Sequence, residues 1–300
     1  SNRTPVAPAG GEQAEPRIVV GGNGTLFIAW SEQAPNGPDI MLCKSSDHGG
    51  NFSNPVQVAP SSKGQLHPDM AIDGGLLAIT WAQENGNLLD IMVAVSVDGE
   101  GFSSSLRVDT GEANKPRNLP CVAVQGERLF VAWQYGSLPI DIYGAWSNDS
   151  GASFSTPMMV SYGTAGQRQT QADAAFLPDG NVTVVWKDLS SDSDVRCSVS
   201  SGTSFPYSVK VNFESAGNQD QPAVAVDSGG NISVVYRDDG DGARHIKWAL
   251  SRDGGITFSQ GVRVDDREEA SHEAPDIAMG GDTPMVVFES LEAKDWDIYF

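Results

Sequence analysis

The sequence predicts an all-β chain, a six-bladed β-propeller built from four-stranded antiparallel blades. Three observations carry this reading. An eight-residue turn motif recurs near every 51 residues, an aromatic closes an apolar run once per period, and the runs between them are short and rich in Val and Ile, with no long 3.6-residue pattern. The motif stands in full as SSDHGGNF from Ser45, SNDSGASF from Ser147 and SRDGGITF from Ser251. A copy one residue short, SVDGEGF, starts at Ser96, and SVSSGTSF at Ser198 carries Ser200 in place of the aspartate. The gaps between the five starting serines are 51, 51, 51 and 53 residues.

Each period is expected to hold four strands. The first opens on Pro-x-apolar, as in PDMAI, PCVAV, PAVAV and PDIAM. The second ends on the aromatic marker: Trp30, Trp81, Trp133, Trp186, Tyr236 and Phe288, six in all. The third opens on an acidic residue at Asp39, Asp90, Asp141, Asp194 and Asp297, with His245 in the fifth copy. The fourth follows the turn motif. In the second period the strands are placed at 70–73, 76–81, 90–96 and 106–109, bounded by Gly, Asn, Asp or Pro. A single such sheet cannot bury both faces, so blades must pack face to face, with the large aromatics between them. The last copy stops at Phe300, inside its third strand. Residues at about 4–8 are therefore expected to pair with the last blade, 275–300, and to remove the open edges of a single domain spanning 1–300.

The motif reads as turn chemistry. Gly151 suits a positive φ, Asp149 can accept backbone N–H groups across the turn, and Phe154 supplies an apolar anchor. The same roles fall to Gly49, Asp47 and Phe52 and to Gly255, Asp253 and Phe258, with Ser45, Ser147 and Ser251 opening the motif. This Ser-x-Asp-x-Gly-x-x-Phe skeleton resembles the Asp box, or BNR repeat, of sialidases and of many secreted propellers that are not sialidases. The resemblance covers the whole chain. It implies that the boxes are structural and lie on the face opposite any ligand site. Kelch and WD40 signatures are absent.

Composition narrows the partners. A net charge of −20, from 39 acidic and 19 basic side chains, repels a phosphate backbone, so nucleic acid is not expected. No apolar run of about 18 residues exists, so no membrane insertion is expected. The cysteines Cys43, Cys121 and Cys197 are widely spaced, show no metal pattern, and read as small buried side chains. No cofactor or metal is expected. The acidic loop Arg237–Arg244, with Asp238, Asp239 and Asp241, lacks EF-hand spacing and reads as a plain strand connection. His67 and His272, in separate loops, are expected at the surface.

Chemistry is expected where second strands end and first strands begin. The ligand candidates there are Arg17, Glu32, Arg117, Tyr135, Arg168, Asp188, Arg237, Asp238 and Glu289, with Glu15, His67, Asp69, Gln171, Asp220 and Glu273 beside them. Sialidases, which this chain resembles in fold, hold a sugar carboxylate with three arginines and use a Tyr nucleophile with a Glu, and an Asp acid/base. Arg17 and Ile18 in PRIVV match part of their first arginine motif. Its aromatic and its Pro are missing, and Pro-x-apolar has a structural explanation here. Arg117, Arg168 and Arg237 could supply the other arginines, but no nucleophile of that kind is visible. The leading expectation is a secreted or periplasmic propeller that binds a glycan or an extracellular protein. A glycosidase or another polysaccharide-cleaving enzyme is the first alternative, and a structural module of a larger extracellular assembly the second.

Overall fold

The structure is a computed structural model, and it describes residues 6, 11–110, 115–162, 168–189, 192–213, 216–266, 271–292 and 295–300. The architecture is that of a six-bladed β-propeller, with six consecutive antiparallel sheets and no helix among the described residues. Blade one is β1 (Gln13–Val20), β2 (Leu26–Ala34), β3 (Gly37–Ser45) and β4 (Val56–Gln57). Blade two is β5 (Gln65–Asp73), β6 (Leu76–Asn85), β7 (Leu88–Ser96) and β8 (Leu106–Arg107). Blade three is β9 (Arg117–Gln125), β10 (Arg128–Tyr135), β11 (Asp141–Ser147) and β12 (Met158–Met159). Blade four is β13 (Arg168–Phe176), β14 (Val182–Leu189), β15 (Ser193–Val199) and β16 (Val209–Lys210). Blade five is β17 (Gln219–Val226), β18 (Ile232–Asp238), β19 (His245–Ser251) and β20 (Val262–Arg263). Blade six is β21 (Ser271–Gly280), β22 (Thr283–Glu292) and β23 (Asp295–Tyr299). Five sheets have four strands and the sixth has three. The strand expected at 4–8 lies outside the described residues except for Val6.

The chain parts into two compact units, Ser1–Tyr135 with Gly144–Pro157, and Gly136–Tyr143 with Met158–Phe300. In the first unit β5 packs on β1, β2 and β3, and β9 packs on β5, β6 and β7. In the second, β17 packs on β13, β14 and β15, and β21 packs on β17, β18 and β19. The aromatic markers fill these seams. Trp81 joins Phe27, Ile40 and Leu42 of blade one in one core, and Tyr236 joins Val185, Val195 and Cys197 of blade four in another. Full burial of such side chains contributes about 1.5–3 kcal/mol each.

The first strands depart from expectation. They do not open at the proline. β5 starts at Gln65, five residues before the expected 70, and carries a bulge between Leu66 and Asp69. The same irregularity recurs in the first strand of the other blades. Each bulge holds one non-glycine residue at φ between 47 and 57°: Glu15, His67, Leu119, Gln171, Gln221 and Ala274. A bulge leaves its residue outside the ladder, so the following Pro16, Pro68, Pro120, Pro222 or Pro275 costs no ladder hydrogen bond.

The repeated turns are closed by local hydrogen bonds. Ser45 Oγ donates to Asp47 Oδ1 at 2.8 Å and accepts Gly49 N at 2.9 Å, while Asp47 accepts Asn51 N at 2.8 Å. The turns at Ser147 and Ser251 repeat these bonds, with Asp149 accepting Ser153 N and Asp253 accepting Thr257 N. The glycines have a second duty. A Cβ on Gly255 would stand 2.6 Å from Val199 Cγ2, and one on Gly151 3.0 Å from Val95 Cγ1, in both cases a side chain of the preceding blade. In the fourth copy Ser200 Oγ accepts Val182 N instead, and the turn closes as a Ser201–Ser204 bridge.

Candidate functional site

Register decides which side chains meet. The end of each second strand pairs with the start of the first: Gln13 with Glu32, Arg117 with Tyr135, Gln169 with Asp188, Asp220 with Arg237, and Glu273 with Glu289. The repeated turns stand at the other end of the sheets, where Ser45 pairs with Leu26 and Ser251 with Ile232. Eight of the nine candidates therefore share one end of their own blades, though not one environment, while Arg17 lies in mid-strand opposite Ala29. Arg117, Tyr135, Asp188 and Asp238 are buried, Glu32, Arg237 and Glu289 are half-buried, and Arg17 and Arg168 are exposed.

In the second unit three blades contribute to one charged constellation. Arg237 on β18 forks onto Asp220 on β17, with Nε and Nη2 each 2.7 Å from a carboxylate oxygen. Lys187 on β14 reaches Asp220 Oδ2 at 2.8 Å. Arg237 Nη1 lies 3.3 Å from Glu273 Oε1 on β21, which also receives Arg244. Both Asp220 oxygens are thus taken by charged donors, the geometry that lets a buried carboxylate persist. The cluster counts three cations against two carboxylates. Arg244, its outermost member, is about half exposed at 48%.

Asp188 sits apart from this cluster, 2.9 Å from Arg196 Nε. Burial, reinforced by nearby Asp194, raises its pKa above the ordinary carboxylate value, against the pull of Arg196. Asp238 is held by Gln219 Nε2 at 3.1 Å and by Lys247 at 3.3 Å. In the loop that follows, Asp239 accepts Asn218 Nδ2 and Asp241 accepts Ala243 N.

In the first unit the contacts are smaller. Glu15 accepts His67 N at 2.8 Å, and its other oxygen meets His67 Nδ1. Arg17 Nε lies 3.3 Å from Asp69 Oδ1, while Asp69 Oδ2 accepts Val122 N. Glu32 Oε2 accepts Gln13 Nε2 and Trp30 Nε1. Arg117 is paired with buried Asp109, and Lys115 and Arg117 stand 5.1 and 5.8 Å from the Tyr135 ring centre. A cleft of about 640 Å³ in this unit opens beside the turns instead, lined by Phe27, Lys44, Asp47 and Asp98. Its polar groups are already engaged: Lys44 binds Asp98 O and Glu100, and the aspartates are occupied by their own turns.

Sequence reasoning missed two features. One is a relay at the bulges: Gln171 Oε1 accepts Gln221 N, and Gln221 Oε1 accepts Ala274 N, just as Glu15 accepts His67 N. Its signal was the residue-Pro pair at the blade period. The other is buried Asp265, whose signal was the likeness of VRVD (262–265) to LRVD (106–109). His272, expected at the surface, is 1% exposed, because the bulge turns its segment inward against Asp265 and the Phe288 ring.

No family profile and no curated protein matches the sequence. Solved structures do resemble it. A PL25 ulvan lyase bound to -[GlcA(1-4)Rha3S]- superposes with a TM-score of 0.70 at 14% identity, over 95% of this chain and 78% of that one. An α-L-arabinanase of Penicillium chrysogenum complexed with arabinobiose gives 0.67 at 15%, over 95% and 91%. A Trypanosoma rangeli sialidase gives 0.58 at 8%, over 96% of this chain and 54% of that one. At these identities the likeness speaks for the propeller fold.

Proposed function

We propose that this chain is an extracytoplasmic Asp-box propeller of the sialidase-like kind, acting as one domain, and that it binds an acidic glycan at the ends of the blades opposite the repeated turns. The carrying observation is the Arg237 constellation, with a net excess of cations and a half-exposed Arg244 in a protein of net charge −20. Arg168, exposed at the start of β13, adds a further cation in the same unit. A carboxylate or sulfate on a sugar is the ligand that such guanidinium groups recognise. The polysaccharide-active proteins of like fold support a carbohydrate ligand.

The test is a glycan array carrying matched neutral, carboxylated and sulfated oligosaccharides. Binding is expected to favour the acidic sugars, and Arg244→Gln is expected to weaken it by about tenfold, the usual weight of one charge-assisted hydrogen bond. Equal binding of neutral and acidic sugars, or no binding at all, would refute the proposal.

Asp188 supports a second reading, since it is a buried carboxyl group at the blade end whose pKa burial raises, the direction in which a general acid is tuned. In that reading the propeller cleaves the glycan that it binds. Product release from an acidic polysaccharide, lost in Asp188→Asn with binding kept, is the expected result. Binding without any product would leave the first reading alone.

A further inference from the structure

In blades two to five the position two residues after the fourth strand supplies an acceptor to the third strand; in blade one that position is Ala59 and Gln65 Oε1 accepts Ile40 N instead. Asp109 accepts Ile91 N, Ser161 Oγ accepts Ile142 N, Asn212 Oδ1 accepts Val195 N, and Asp265 Oδ2 accepts Ile246 N. Two neighbours complete the set, one at the start of the third strand and one at the start of the next blade. In blade four these are Asp194 and Gln219, both hydrogen-bonded to Asn212 Nδ2, at 3.1 and 2.8 Å. In blade five both neighbours are histidines, His245 and His272.

These three side chains form, among the described residues, the cluster whose ligand atoms fall within 4.8 Å of one another. His245 Nδ1 lies 3.2 Å, and His272 Nε2 3.3 Å, from the same oxygen, Asp265 Oδ1. All three are buried, at 3%, 1% and 6% exposure. That oxygen also accepts from Arg263 Nε at 2.7 Å, with Nη2 2.6 Å away. Its two lone pairs cannot serve Arg263 Nε and both imidazoles at once. His245 Nε2 meanwhile faces Asp241 Oδ2 at 3.3 Å. A neutral imidazole that donates there turns a lone pair toward Asp265, and a cation between the two is what satisfies both. Ligand atoms about 3.3 Å apart are the edges of a tetrahedron with metal bonds of about 2.0–2.1 Å. Asp241 then stands behind His245 as the carboxylate that orients a metal-bound imidazole.

We propose that His245 Nδ1, His272 Nε2 and Asp265 Oδ1 form a zinc-class divalent metal site that staples blade five to blade six. Two imidazoles and one carboxylate select zinc, cobalt or nickel over calcium and magnesium, which require oxygen shells. The burial assigns the site to structure rather than to turnover. Arg263 stands in for the cation when none is bound. Its side chain is 30% exposed, so it can swing to solvent on loading.

The experiment uses the whole chain, stripped with a chelator and titrated with Zn²⁺ and Co²⁺. One equivalent of Zn²⁺ is expected to bind and raise the Tm. Co²⁺ is expected to give visible bands of a four-coordinate nitrogen and oxygen site without a thiolate charge-transfer band. Arg263→Gln is expected to tighten zinc binding by about tenfold by removing the competing cation. His245→Asn combined with His272→Gln removes both imidazoles and keeps neutral hydrogen-bonding side chains beside Asp265, so it should fold and bind no zinc. Zero stoichiometry in the wild type, a thiolate band, or zinc retained by that double variant would each overturn the proposal. Should the double variant fail to fold, the cobalt spectrum and Arg263→Gln decide.

Discussion

Asp109 in blade two and Asp265 in blade five occupy one position of the repeat and are both buried, yet they live in different chemistry. Each accepts a third-strand N–H and each takes an arginine two residues before it, Arg107 or Arg263. The next blade decides the rest. Blade three sends Arg117, 2% exposed at its side chain, into Asp109, whereas blade six sends His272. The carboxylate serves the backbone in both places. What faces it turns one copy into an ion-pair lock and leaves the other able to exchange its partners.

The largest effect that tests this comparison is the loss of each charge. Asp109→Asn strands Arg117 in the interior and is expected to cost about 3–5 kcal/mol, the range for breaking a buried ion pair from one side. Asp265→Asn in metal-free protein is expected to cost less, since Arg263, 30% exposed at its side chain, can turn to water. Urea denaturation of the two variants measures the gap, and equal losses would mean that the flanking residues do not matter.

A second comparison sets one turn against another. Gly255 and Gly49 share a left-handed φ, of 83 and 85°. An added Cβ would clash with Val199 at the first and would meet Leu26 Cδ1 and Phe52 Cζ at ordinary contact distances, 3.6 and 4.0 Å, at the second. Gly49→Ala should therefore lose about 1–2 kcal/mol from φ alone. Gly255→Ala should lose an additional 1–3 kcal/mol or so from overpacking. Similar Tm shifts for the two would show that the glycine does not serve blade-to-blade packing.

The smallest expected effect is in acid. Hydrogen bonds from Asn51 hold Asp47 at about 2, those from Gly101 and Glu100 hold Asp98 at about 2, and those from Thr257 hold Asp253 at about 2. The ordinary carboxylate value is near 3.9. Folded values below the unfolded one mean that these bonds stabilise the protein above about pH 4 and lose that contribution as pH falls toward 2. Asp253→Asn is expected to flatten the stability profile across this window and to leave its shape at neutral pH unchanged. An unaltered acid limb would remove the turn carboxylates from the account. Blade four, with Ser200, has no such group in its turn.

Local chemistry was readable in the chain, and contacts between blades were not. The turn bonds of Asp149 and Asp253 span four residues, so spacing alone discloses them. The first strands were placed too short because Pro68 reads as a boundary, whereas the bulge at His67 lets the ladder resume beyond it. The candidate arginines were found, but not their fates. Arg117 and Arg237 look alike in sequence, yet one is locked on Asp109 and the other bridges Asp220 and Glu273.

By itself the sequence determined the propeller, the number of its blades and the turns that close their hairpins, because periodicity and turn chemistry act over a few residues. Only the tertiary structure decided which charges are spent on each other. Those pairings join residues of adjacent blades, such as Arg237 with Glu273 or Asp265 with His272. Register, bulge and burial together set them, and none of the three is written at either residue alone.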